Sequence, residues 1–229
     1  MKNIFLFVFG IFFLIKIQAQ NIDTLRIIIL SPNKVEFSKN CLPKIDSIRK
    51  EITEWKAILK KRETDKINNN LEEYNKLPID FKQVFENSLN FIDSLTLENY
   101  ISLFTQGWID YRLYKPYKIS PKLVLLSSLQ SNSAIENYKK IATKTNATFI
   151  INFPSIKIYK EKDGLKTSTK IELYYIKRNE ILLSQENIGS TKAIATDMPI
   201  CKNGDWTCAF TNSIYPSFYN CLQLIIKNK

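Results

Sequence analysis

Residues 148–191 read TFIINFPSIKIYKEKDGLKTSTKIELYYIKRNEILLSQENIGST, and this stretch decides the fold. Thr148 to Phe153 is a β-branched and aromatic run of the kind that fits a pleated surface. Pro154 interrupts it, because proline cannot donate to a ladder, and Ile156-Lys-Ile-Tyr159 resumes it as alternation. Asp163-Gly164 is a hairpin turn signal, since glycine reaches the positive φ that tight turns need. The return strand runs from Leu165 to Ile176. Thr167, Thr169, Ile171, Leu173 and Tyr175 fall on one face, and Lys170, Glu172 and Tyr174 on the other. Arg178-Asn179 marks a second tight turn, and Ile181 to Ile188 makes a further strand. The spacing predicts a three-stranded antiparallel meander.

Working outward, Ser133-Ala-Ile-Glu136 is a capping box that opens a helix with Ile135, Tyr138, Ile141 and Ala142 on one face, and Asn146 suits its C-terminal cap. Leu25-Arg-Ile-Ile-Ile-Leu30 and Pro121-Lys-Leu-Val-Leu-Leu126 are short apolar runs, the pattern of strands buried on both faces. From Lys44, Ile45, Ile48, Ile52, Trp55 and Leu59 form one helical stripe, continuing more weakly to Ile67, Leu71 and Tyr74, with Lys60 to Glu63 on the solvated side. Asp80 with Gln83 caps a second helix through Phe81, Val84, Phe85 and Leu89. A third spans about Leu97 to Phe104 and ends at Gly107. At the other end, Phe210, Ile214, Phe218, Cys221, Leu222 and Ile225 make a terminal helical stripe, in which Pro216 kinks the helix or starts a second one. The expected class is α/β (α+β): a mixed sheet with the meander, flanking helices and a helical insertion at about 44–106. Without repeats or a linker-like stretch, residues 20–229 read as a single domain.

Met1 to Gln20 reads MKNIFLFVFGIFFLIKIQAQ. Lys2 supplies the positive start, Ile4 to Ile15 the apolar run and Ala19 the small residue at the cut. These are the parts of a secretory signal peptide, residues 1–19. The run is short of the roughly 20 apolar residues that a span needs, so no integral membrane span is expected after cleavage. The expected location is periplasmic or secreted. The net charge is +11, with 28 lysines to 5 arginines spread along the chain. Phosphate recognition favours the arginine fork, so the charge reads as a lysine-rich surface and nucleic acid is not an expected partner.

The four cysteines are Cys41, Cys201, Cys208 and Cys221. An even count in an exported chain predicts disulfides. Asn203-Gly204 can reverse the chain between two of them, which predicts Cys201–Cys208 and leaves Cys41–Cys221. A zinc site of four thiolates is the rival, but no CxxC knuckle is present.

The chain contains no histidine, which excludes Ser-His-Asp and Cys-His catalysis and His-ligated metals. It has five glycines and no GxGxxG or GxxxxGK[ST]. No catalytic residue, cofactor site or metal site is therefore expected. The surface-site candidates are Asp197, Asp205 and Trp206, because acids beside an indole ring can form a sugar platform. The favoured reading is a stapled surface loop with Trp206 anchoring it to the core, since a lone acid and ring are common in loops.

At Ala147-Thr-Phe-Ile-Ile-Asn-Phe, Thr169-Lys-Ile-Glu-Leu-Tyr-Tyr-Ile and Asn179-Glu-Ile-Leu-Leu the chain resembles bacterial envelope domains of the TolB N-terminal, CsgG and LpoB type. The resemblance covers about residues 133–191. The chain departs from the lipoproteins of that group in having no lipidation cysteine, and no site residue carries over. The resemblance implies an exported, non-catalytic binding or adaptor module whose partner is an envelope protein. The competing expectation is a secreted hydrolase or glycan-binding enzyme that uses a carboxylate pair.

Overall fold

The computed structural model describes residues 25–32, 35–77, 79, 82, 89–90, 92–117, 122–127, 134–192, 201 and 203–228. The predicted signal peptide, the Asp80–Gln83 capping box, Ser133 and Asp197 lie outside these residues. In chain order the elements are β1 (Arg26–Ser31), β2 (Val35–Phe37), a 3-10 turn (Lys39–Cys41), α1 (Leu42–Asn69), α2 (Leu71–Lys76), α3 (Tyr100–Tyr117), β3 (Lys122–Ser127), α4 (Ala134–Thr145), β4 (Phe149–Glu161), β5 (Gly164–Tyr175), β6 (Glu180–Ser190) and α5 (Trp206–Lys227). The chain divides into two compact units, one of Met1–Cys41 with Ile101–Lys229 and one of Leu42–Tyr100.

The first unit is built on a mixed sheet in the order β3-β1-β4-β5-β6. β1 pairs in parallel with β3 and β4. Ile27, Ile28 and Ile29 are fully buried, as the run of β-branched residues requires of a central strand. β4, β5 and β6 are antiparallel neighbours and form the expected meander. Gly164 turns the first hairpin at φ 128° and Asn179 the second at φ 57°. Pro154 does not end β4. The β4–β5 register shifts between Asn152 and Ser155, so the proline sits in a bulge and the strand continues to Glu161. β2 has no counterpart among the sequence expectations. It is three residues long and pairs with β4 between Val35–Ile156 and Phe37–Ile158. A strand that short shows no period of its own.

Alternation puts the two helical layers on opposite faces of β5. α4 covers one face, where Tyr138 and Ile141 pack with Ile28, Leu30, Ile150 and Tyr174. Ile135, expected on that stripe, is 40% exposed at the first turn and packs outside it. Asn146 ends α4 at φ 50°, its N–H bonded to the Ala142 carbonyl at 2.9 Å. α5 lies against β5 and β6 on the other face, with Phe210, Ile214, Phe218, Cys221, Leu222 and Ile225 buried. It is one helix of 22 residues that runs through Pro216, so no second helix starts there. α3 runs through Gly107 to Tyr117 instead of stopping at the glycine. Trp108 on α3 stacks against Phe218 at 4.5 Å and approaches Tyr215 at 5.0 Å.

In the second unit α1 buries Ile45, Ile48, Ile52 and Leu59, the predicted stripe. Glu63 was expected on the solvated side and is 2% exposed instead. Its carboxylate is held by Lys66 at 2.7 Å and Arg62 at 3.5 Å, the pairing that burial of a charge demands. Arg49–Glu98 and Lys60–Asp93 join α1 to the segment that ends this unit. Both pairs are about half exposed, so each is worth about 1 kcal/mol or less.

Candidate functional site

Of the sequence candidates, Asp205 and Trp206 stand at the start of α5, and Asp197 lies outside the described residues. Asp205 is its N-cap, and its carboxylate accepts from the Thr207 N–H at 3.2 Å. Cys201 and Cys208 are bridged across the Asn203-Gly204 turn, where Gly204 stands at φ 86° and donates to the Thr191 carbonyl at 2.8 Å. Trp206 is 2% exposed and meets Phe210 edge-on at 5.4 Å. Its ring is therefore core and not a surface platform for a sugar. Asp205 spends its charge on helix capping, so the start of α5 is the favoured stapled loop with Trp206 anchored in the core and not an acid-and-ring platform.

Cys41 and Cys221 are free thiols, which corrects the expected second bridge. Cys41 closes the 3-10 turn, and its thiol donates to the Ser38 carbonyl at 3.0 Å and the Ile158 carbonyl at 3.3 Å. Cys221 belongs to α5, which packs on β5 and β6, and burial pushes its thiol up to about 12. With two cysteines bridged, a four-thiolate zinc site is also excluded. Among the described residues no group of three or more Cys, Asp and Glu side chains is placed to hold a metal.

A second concentration of polar groups lies between α4 and the sheet. The Tyr138 hydroxyl donates to Glu172 Oε2 at 2.8 Å and accepts from Asn152 Nδ2 at 2.8 Å. The other Glu172 oxygen faces Ser184 Oγ and Lys170 Nζ, each at 3.3 Å. Glu172 is 7% exposed and Tyr138 1%, so both would be costly without these partners. Burial, then the charge of Glu172, raises the Tyr138 phenol well above its usual value near 10 and keeps it a donor. Sequence reasoning did not single out this network. The available signal was an acid in mid-strand among apolar residues, which needs a partner from the covering helix.

At the β4–β5 hairpin tip a shallow depression is lined by Asn40, Lys160, Glu161, Lys162 and Asp163. Asp163 pairs with Lys166 at 2.7 Å. That hydrogen bond holds the carboxyl below its usual range and the ammonium above its own. The pair locks the turn and leaves Asp163 ionised.

β6 ends the sheet and has no second neighbour strand among the described residues. Ile188 is 65% exposed on it, Glu180 and Glu186 are exposed, and the Ser168 hydroxyl donates to Glu186. Residues Glu180–Ser190 contain neither lysine nor proline, the residues that most often blunt an edge. Among the described residues no helix is long and apolar enough to cross a membrane.

No family model and no curated protein matches the chain. Among the solved structures that it is similar to are two from bacteria. The LpoB C-terminal domain from Salmonella enterica is 10% identical, with 75% of this chain and 87% of that chain covered and a TM-score of 0.24. The hypothetical protein CT253 from Chlamydia trachomatis is 15% identical, with 58% and 85% covered and a TM-score of 0.24.

Proposed function

We propose that this protein is an exported, non-catalytic envelope protein that acts as a binding or adaptor module for another envelope protein. The observation that carries the reading is β6. An eleven-residue edge strand with an exposed isoleucine offers a row of backbone groups to an extended segment of a partner. The described ionisable groups of the two polar concentrations support it too. Asp205 caps a helix, and Glu172 and Tyr138 satisfy one another inside the first unit. The Cys201–Cys208 bridge suits an oxidising compartment, and the apolar run before Ala19 suits export. In this reading residues 20–229 act as one domain, with the helical block at about 44–106 as its insertion.

The test is affinity capture from the native envelope fraction with tagged, folded protein. Wild type should enrich a specific partner, and Ile188→Lys should lose it with unchanged thermal unfolding. Equal capture by wild type and Ile188→Lys would remove β6 from the reading. Loss of cellular function in a carboxylate-to-amide variant that still captures the partner would replace the adaptor with the hydrolase.

A further inference from the structure

The bridge at the start of α5 joins two residues of unlike exposure. Cys201 is partly exposed, whereas Cys208 is 0% exposed among Trp206, Ala209 and Phe210, themselves at most 2% exposed. Thiol–disulfide exchange proceeds by attack of a thiolate on one sulfur and departure of the other, so access decides which end reacts. We propose that the Cys201–Cys208 disulfide is a site of thiol–disulfide exchange with an external dithiol that opens from the Cys201 end, with Cys208 as the leaving sulfur.

The dithiol's thiolate forms a bond to Cys201 Sγ, and the Cys201–Cys208 bond breaks. Its electron pair goes to Cys208 Sγ, which then takes up a proton. The dithiol's second thiolate attacks its own sulfur in the mixed disulfide and releases Cys201. The bridge is reduced by two electrons and the dithiol is oxidised to a disulfide. Cys208 is the third residue of α5, where first-turn N–H groups favour a departing thiolate. The Asp205 carboxylate, bonded to the Thr207 N–H in the same turn, opposes that effect in part. Access therefore carries the direction.

The exchange is local, because α5 is held by contacts that do not involve the bridge. The Asn212 amide donates to the Ser190 carbonyl at 2.9 Å and the Lys192 carbonyl at 2.7 Å. Trp206 is anchored in the core, and the Thr169 and Ser213 hydroxyls meet at 2.7 Å. Cys41 and Cys221 are fully buried and take no part. This inference is independent of the binding reading.

The test uses the folded full chain, glutathione as the probe thiol, acid quenching and peptide mapping. Glutathione should be found on Cys201 at least tenfold more often than on Cys208, with unchanged far-ultraviolet circular dichroism. The preference should collapse in denaturant. Adducts mainly on Cys208, equal adducts in the folded protein, or reaction only as fast as global unfolding would each overturn the proposal. A dithiol should then yield free Cys201 and Cys208 in a chain that keeps its helical signal, and loss of that signal would overturn the local opening.

Discussion

Gly189 of β6 lies directly beneath Ala209 of α5: a Cβ on Gly189 would stand 2.2 Å from the Ala209 carbonyl oxygen and 2.3 Å from the Ser213 nitrogen. Both neighbours are helix backbone, so neither can rotate away. The sequence around them makes the close approach possible. Ala209, Thr211, Asn212, Ser213 and Ser217 are small or short polar residues buried on the helix. Thr169 and Asn187 bond Ser213 and Ser217 from the sheet. Gly189→Ala should therefore cost about 1–3 kcal/mol or more, by lifting α5 off the sheet. Urea denaturation would read this as a lower midpoint at unchanged slope. A midpoint equal to wild type would mean that the helix rides higher than described.

The Tyr138–Glu172 pair makes a prediction with a definite sign in pH. Burial first, and the Glu172 charge second, raise the folded phenol above its usual value near 10. Above that usual value the unfolded chain releases the proton while the folded chain keeps it. Stability from this group is thus complete below about pH 10 and declines as pH rises further, by up to about 1.4 kcal/mol per pH unit. Tyr138→Phe should lose about 1–3 kcal/mol at neutral pH, because Glu172 Oε2 loses its donor. The same variant should also show a shallower alkaline decline than wild type. Urea midpoints for the two proteins between about pH 8 and 11 check both effects. Parallel alkaline declines would show that Tyr138 titrates normally.

Thiol counting separates the three kinds of cysteine. Cys41 and Cys221 are both 0% exposed, and the raised Cys221 thiol holds almost no thiolate at neutral pH. The native oxidised protein should therefore show no fast-reacting thiol. Denaturation should expose two, and reduction with denaturation four. Replacing Cys201 and Cys208 together by alanine should cost about 2–3 kcal/mol in the chain-entropy model and leave α5 formed. A native protein with two fast thiols would put Cys41 and Cys221 at the surface.

The meander was legible because two independent signals agreed over it. Period-2 alternation on β5 and the Asp163-Gly164 turn left one register, and the structure pairs Ile158 with Thr167 and Leu173 with Leu183 accordingly. Features that depend on the third dimension were not legible. The stripe of α1 is plain in the spacing, but the burial of Glu63 depends on Lys66 and Arg62 folding back over it. Trp206 anchored in the core was readable from its stapled loop, but the Asp205 carboxylate's bond to the Thr207 N–H depends on where the helix starts. An even cysteine count cannot tell a second bridge from two thiols enclosed in different places, as Cys41 beside Ile158 and Cys221 on α5 are.

If the protein acts by binding, its carboxylates serve structure and surface, and their amides should serve nearly as well. Asparagine caps helices about as well as aspartate, so Asp205→Asn should change stability by about 1 kcal/mol or less. Glu186 accepts from the Ser168 hydroxyl, and the carbonyl of Glu186→Gln can accept the same bond. Asp197→Asn removes the charge of the other acid beside the disulfide loop. A triple variant, Asp197→Asn with Asp205→Asn and Glu186→Gln, should therefore fold normally and complement a deletion as well as wild type. A catalytic carboxylate is needed for its charge or its proton, and an amide supplies neither, so an enzyme relying on any of the three would lose about 100-fold or more of its activity. Complementation scored beside thermal unfolding separates these outcomes. A folded triple variant that fails in the cell while still capturing the partner would overturn the binding reading in favour of hydrolysis.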